Sequence, residues 1–250
     1  MTPHAMESVK KRAARARQRA LVTGGAVRVG RALALALARA GMDVAIGYHR
    51  SARAARATVR EIERYGVRGA AVRANLGDPV AARRLVREAV RRLGGLDVLV
   101  NSAAVFERTP LRTTTPARYD HLLDVNLRGV FFCCQAAVAV MRRGGHIVNI
   151  GDIGADRGWP GYIPYVASKA GVAALTRGLA VALRPRGIVV NCVAPGAMLR
   201  PVGFPLARWR AVTRGRETSI EDVAAAVHFF ATCPRDVTGQ ILKIDSGTSS

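Results

Sequence analysis

The chain has 250 residues, 50% of them hydrophobic, which suits one large folded domain and excludes a disordered chain. Its 39 Lys+Arg against 17 Asp+Glu give a formal net charge of +22, nearly all from arginine, because the only lysines are Lys10, Lys11, Lys169 and Lys243. That charge attracts anions, yet the arginines are scattered beside alanine and no zinc-finger, RNP-like or basic-zipper pattern occurs, so specific nucleic-acid binding is not expected.

Residues 1–18 read as a basic N-terminal arm, with Lys10-Lys11-Arg12 followed by Arg15, Arg17 and then Arg19. A solvated arm is the plain reading, and a polyanion contact or targeting segment the alternative. Residues 19–250 read as a single domain without linker or repeat. An apolar strand at 20–23, a glycine turn, a helix at 30–40 closed by Gly41 and a strand at 43–47 make a βαβ unit. The alternation continues with a helix at 52–65, a strand at 70–74 and a helix opened by Asp78-Pro79.

Further strands are expected at 96–100, 146–150, 188–193 and 241–244, all continuous apolar runs of the kind buried on both faces. Helices are expected at 116–141, 164–183 and 220–231, the last opened by a Ser219-x-x-Asp222 capping box. The fold class is therefore α/β, one Rossmann-type doubly wound parallel sheet with helices on both faces. Cys133, Cys134, Cys192 and Cys233 show no CxxC pairing, which argues against a disulfide framework or a zinc site and for reduced thiols. No uncharged apolar run suggests a membrane span and no apolar signal segment follows the basic start, so a cytoplasmic protein is expected.

Thr23-Gly24-Gly25-Ala26-Val27-Arg28-Val29-Gly30 joins the first strand to the first helix, where small residues admit a pyrophosphate and the helix N-terminus supplies N–H donors. The second strand ends in Gly47-Tyr48-His49-Arg50-Ser51 and lacks the carboxylate that would bond a free ribose 2′-hydroxyl. Arg28, facing the adenosine end, together with His49, Arg50 and Ser51 would bind a 2′-phosphate, so NADP(H) is favoured over NAD(H). Tyr165 and Lys169, four apart, share one helix face. A free phenol titrates near ~10, and a nearby ammonium would make it a usable proton shuttle.

These motifs together resemble the short-chain dehydrogenase/reductase family, in order and spacing, across residues 20–247. They are the turn at 23–30, Leu99-Val100-Asn101-Ser102-Ala103-Ala104, Asn126, Tyr165-Val166-Ala167-Ser168-Lys169, Asn191-Cys192-Val193-Ala194-Pro195-Gly196, Thr238-Gly239-Gln240 and Asp245-Ser246-Gly247. The resemblance implies that Tyr165 exchanges the substrate proton. Lys169 lowers its pKa and holds the nicotinamide ribose, while Asn126 anchors a water leading to the lysine. It further implies cofactor contacts at Gly24, Val29, Gly30, Asn75, Leu76, Asn101, Ser102, Ala103, Pro195 and Gly196, and a homotetramer or homodimer.

Four places depart from the common pattern. Asp152 stands where most members carry a catalytic serine, Ser102 and Ala104 alter the Asn-Asn-Ala-Gly motif, Asn75 replaces an aspartate, and Ala197-Met198-Leu199 lacks the usual threonine. Arg28, the run Tyr48-His49-Arg50-Ser51, Phe106 and Asp152 are similar instead to the pteridine reductases and dihydromonapterin reductase-like proteins. That branch implies an NADPH-dependent reductase of a dihydropterin C=N bond, with Phe106 stacking the pterin and Asp152 holding its amino-pyrimidinone edge. The plainer readings are packing for Phe106 and local backbone bonding for Asp152. The alternatives in function are a general carbonyl or 3-oxoacyl reductase, and more remotely a non-catalytic NADP- or polyanion-binding protein.

Overall fold

The structure, a computed structural model, describes residues 17–141, 144–201 and 203–247. The expected basic arm lies outside the described residues except at its last two positions.

Seven parallel strands form one sheet in the order β3-β2-β1-β4-β5-β6-β7. They are β1 (Arg19–Thr23), β2 (Asp43–Tyr48), β3 (Gly69–Arg73), β4 (Val98–Asn101), β5 (His146–Ile150), β6 (Val189–Pro195) and β7 (Ile241–Ile244). Helices α1 (Arg28–Arg39), α2 (Ala52–Glu63) and α3 (Pro79–Leu93) connect the first four strands. Beyond them lie α4 (Pro116–Leu123), α5 (Gly129–Val140), α6 (Ile163–Leu183), α7 (Leu206–Thr213) and α8 (Ile220–Thr232).

Alternation along the strands divides the core into two layers. Ala20, Val22, Val44 and Ile46 pack with α1, α2 and α8. Leu21 and Ala45, one residue out of phase, pack with α3, α5 and α6 on the other face. Every residue of β4, β5 and β6 is buried, which is why these strands read as unbroken apolar runs. Chain order reverses between β1 and β4, whose ends pair at Thr23 and Asn101. A sheet of this kind binds ligands in the crevice beyond that reversal.

The long helix expected at 116–141 is not continuous. A π-helical turn at Asp124–Arg128 separates α4 from α5. At the junction, a Cβ on Gly129 would lie 2.6 Å from the Leu76 carbonyl oxygen, so the helix approaches this loop more closely than any side chain permits. Helix α7 was not expected, since its buried residues, Trp209 and Thr213, leave no apolar stripe to read in the sequence.

Pro116–Val140 and Ile163–Arg186 are long and apolar enough to cross a membrane by length and composition, although neither is an uncharged run, since Asp120, Asp124 and Arg128 interrupt the first and Lys169 and Arg177 the second. Their apolar content has a local explanation: Val130, Cys133, Cys134 and Ala137 of α5 and Val172, Ala180 and Leu183 of α6 pack on the sheet. All four cysteines are buried free thiols, and burial pushes Cys134 up to about 12 and Cys192 to about 11.

Candidate active site

The glycine turn sits where the reversal of strand order places it. Thr23 Oγ1 accepts the N–H groups of Ser102 (3.0 Å) and Ala103 (3.1 Å), fastening the loop after β4 to the end of β1. Gly24 has φ +66°, and a Cβ there would lie 2.8 Å from Ala103 Cα. A Cβ on Gly30 would strike the Gly24 carbonyl. The two glycines keep open one end of a cleft of about 940 Å³, large enough for a dinucleotide.

Of the residues expected to hold that dinucleotide, Gly24, Arg28, Val29, Gly30, His49, Arg50, Ser51, Asn75, Leu76, Ser102 and Ala103 all line the cleft. Backbone approach at the turn suits a pyrophosphate, and the loop after β2 presents no acid from Gly47 to Ser51, so the residues present fit a nicotinamide dinucleotide. His49 is held on the neutral side, first by partial burial and then by Arg50, Arg73 and His121. An arriving phosphate would reverse that balance.

Four expected cofactor residues fall outside the cleft lining, among them Lys169, which lines a second cavity. Asn101 points into the core, donating to Asn149 Oδ1 (2.9 Å) and Cys134 Sγ (3.3 Å). Pro195 closes β6 against Ile244, and the Gly196 N–H donates to the Ile244 carbonyl at 2.8 Å. Arg28 lines the cleft but with a different reach from the adenosine-facing one expected of it. From a backbone φ of +52° it donates to the carbonyls of Leu199 (3.2 Å) and Arg200 (3.1 Å).

The start of α6 brings the proton-transfer groups together with the end of β5. The Tyr165 hydroxyl donates to Asp152 Oδ2 at 2.6 Å, and Asp152 Oδ1 accepts the Gly154 N–H at 2.7 Å. Asp152 thus caps a local turn with one oxygen, the plainer reading of the sequence, and accepts from the tyrosine with the other. One helical turn on, Lys169 is 4% exposed, donates to the Ile150 carbonyl at 2.8 Å and lies 5.9 Å from the Tyr165 ring centre.

Burial raises the Asp152 carboxyl and lowers the Lys169 ammonium. Burial, and then Asp152, raise the Tyr165 phenol well above its usual value. A lysine acting alone would have lowered it. The phenol is thus held in its protonated form.

Asn126, in the π turn, is wholly buried. Its amide accepts from the Val105 N–H (2.7 Å) and donates to the Val105 carbonyl (2.9 Å) and Ser168 Oγ (3.2 Å). This pairing fixes the residue preceding Phe106. The Phe106 ring lies flat on Tyr162, with centres 4.7 Å apart and planes at 9°, and meets Tyr165 edge-on at 4.8 Å. Trp159 stacks on Tyr165 from 6.3 Å. Tyr162 and Trp159 were missed in the sequence, because both precede α6, Tyr162 as its N-cap, and no helical spacing ties them to Tyr165.

Over residues 25–249 the chain matches the family model described as Enoyl-(Acyl carrier protein) reductase. It is 37% identical over 245 residues to the 3-oxoacyl-[acyl-carrier-protein] reductase of Staphylococcus aureus, covering 91% of this chain and 96% of that protein. A short-chain dehydrogenase from Burkholderia cenocepacia, crystallised with NADP, superposes with a TM-score of 0.88 at 40% identity, over 93% of this chain and 98% of that one. A blue fluorescent protein from a metagenomic library, in complex with NADPH, gives 0.87 at 38% identity over the same shares.

A dinucleotide cleft at the strand-order reversal and a buried tyrosine–lysine pair beside it define an NAD(P)-dependent oxidoreductase. The chain belongs to the short-chain dehydrogenase/reductase family.

The expected leaning toward pteridine reductases is corrected at this point, because the full-length similarity runs to a 3-oxoacyl reductase. Arg28, the run Tyr48-His49-Arg50-Ser51, Phe106 and Asp152 carried that leaning as local features. Two of them serve local contacts in the fold, Arg28 on the 199–200 backbone and Phe106 on Tyr162.

Proposed function

We propose that this protein is an NADPH-dependent reductase of carbonyl groups, of the kind that reduces 3-oxoacyl chains. The observation that carries the reading is the Tyr165 hydroxyl, which lines the cleft while Asp152 and burial keep it protonated. A bound nicotinamide supplies the hydride. Tyr165 gives the proton to the developing alkoxide, a contribution of roughly 10²–10⁴ in rate. Lys169, buried and fixed to Ile150, holds positive charge behind the phenol as the proton leaves. Arg50, His49 and Ser51 support a 2′-phosphate, hence NADPH over NADH.

The aromatic group of Phe106, Tyr162 and Trp159 walls the approach to Tyr165 with apolar faces. That suits an acyl chain or a flat hydrophobic ketone better than a strongly polar one. The aspartate at position 152, shared with the pteridine reductases that the sequence resembles, sustains a second reading, reduction of a dihydropterin.

Purified protein assayed with NADPH against acetoacetyl thioesters, simple ketones and 7,8-dihydropterins separates the two. Turnover of ketones and thioesters supports the main reading, and oxidation of NADPH with dihydropterins alone would replace it. Exposed apolar residues on α5 and α6, Phe131 at 42% and Val181 at 76%, support a homotetramer or homodimer in this reading. Light scattering of the purified chain tests it.

A further inference from the structure

The Tyr165–Asp152 hydrogen bond has a different cavity at each end. Tyr165 lines the dinucleotide cleft. Asp152 and Lys169 line instead a second cavity of about 240 Å³, together with Asp156, Ala173, Arg177 and Lys243. The second cavity reaches the surface. Arg177 is exposed, and Asp156 and Lys243 form a 2.6 Å ion pair with side chains 60% and 39% exposed. That pair also ties the 3-10 turn at Ile153–Asp156, which Asp152 caps, to β7. The space is polar on several sides and large enough for several waters.

We propose that Asp152 is a proton port, through which Tyr165 is reprotonated from solvent in this second cavity. The proposal rests on the reductase reading above. In each turnover the Tyr165 O–H bond breaks and its proton goes to the substrate oxygen. Asp152, protonated by water at the rear, then gives up its own proton to re-form the Tyr165 O–H. One solvent proton is consumed per hydride transferred, and nothing else changes oxidation state.

Three features support the route. Asp152 Oδ2 is already in hydrogen-bond contact with the phenol, so no side chain has to move. Burial raises the carboxyl, so that it takes up a proton closer to neutral pH than an exposed aspartate does. The second cavity brings solvent to the far side of the carboxylate, since Asp152 lines it together with the exposed Arg177. A serine at position 152 could relay a proton but has no ionised form to store one at neutral pH. The carboxylate has both forms available.

The test fills the cavity without altering Tyr165, Asp152 or Lys169. Ala173→Leu and, as an independent variant, Ala155→Leu place extra bulk on its wall. Reduction by NADPH should then slow about tenfold or more in kcat, with KM for NADPH unchanged. The solvent deuterium isotope effect on kcat should rise, and the effect of deuterated NADPH should fall. In Asp152→Ala, added formate should restore part of the lost turnover, and in Asp152→Ala/Ala173→Leu it should not.

Folded cavity variants with wild-type kcat and isotope effects overturn the port and leave the reductase reading standing. A wild-type protein without turnover on any carbonyl probe removes the reductase reading and the port with it.

Discussion

Asp152 Oδ2 and the Tyr165 hydroxyl are 2.6 Å apart, which sets a negative group against the proton donor of the site. In most of the family the resemblance places a neutral serine there. The phenol is raised first by burial and then by Asp152. Asp152→Ser removes the second cause only, so the phenol should fall toward, without reaching, the value near ~10 of a free tyrosine. Alcohol oxidation needs the phenolate, so its rising limb should move to lower pH. Profiles of kcat against pH for both proteins decide the matter, and a limb that stays in place or moves up contradicts it.

The same carboxyl leaves a mark on stability. Its folded pKa lies above the ordinary 3.8. Between those two values the native state binds more protons than the unfolded chain, so this group makes stability fall as pH rises through that window. Asp152→Asn should flatten the slope of unfolding free energy against pH on the acid side of neutrality, making the variant relatively more stable at pH 7 than at pH 4. Urea titrations across that range measure it, and an unchanged slope shows that Asp152 titrates as an ordinary surface acid does.

Tyr165→Phe should cost roughly 10²–10⁴ in kcat while leaving NADPH affinity near the wild-type value. The ring keeps its contacts with Phe106 and Trp159, each worth about 1 kcal/mol. Nucleotide fluorescence titration and steady-state kinetics together separate the two effects. Retained turnover means that another group supplies the proton.

How far the sequence reaches can be seen residue by residue. The strands were legible because β4, β5 and β6 are buried throughout and so carry nothing polar except His146, Asn101, Asn149 and Asn191. Tyr165 and Lys169 were legible because one helix carries both at a fixed spacing. Contacts between distant segments were not. Arg28 meets Leu199 and Arg200 across more than 170 positions, and no local pattern encodes that pairing. The second cavity draws on β5, α6, β6 and β7 at once, so the outlet behind Asp152 exists only after folding. The π turn escaped because its residues have ordinary helical composition and the cause lies outside it, in the close approach of Gly129 to Leu76.

Cofactor choice follows from the loop after β2. Arg50→Ala should raise KM for NADPH about tenfold or more, as expected when one charge-assisted bond to a phosphate is lost, and should leave KM for NADH nearly unchanged. Arg28→Ala addresses a different contact, since its guanidinium holds the 199–200 backbone. Its effect should fall on substrate KM more than on the NADPH/NADH ratio. Kinetics with both nucleotides check the pair, and an equal loss for NADPH and NADH in Arg50→Ala would remove the 2′-phosphate assignment.

Asn126 joins catalysis to the fold through the backbone. Its amide pairs with both polar groups of Val105 in the way a neighbouring strand would, and it reaches Ser168 one residue before Lys169. Asn126→Ala leaves the Val105 N–H and C=O without these partners, at a cost of about 1–3 kcal/mol for each buried group left unpaired. The residue after Val105 is Phe106, which lines the cleft beside Tyr165. Loss of the clamp should therefore free the aromatic wall and raise substrate KM more than it lowers kcat, with a fall in melting temperature of several degrees. Asn126→Asp retains an acceptor for the Val105 N–H but loses both donated bonds, so it should be intermediate in stability. Calorimetry and steady-state kinetics on the two variants distinguish this from a proton-relay role, which would lower kcat and leave KM and stability in place.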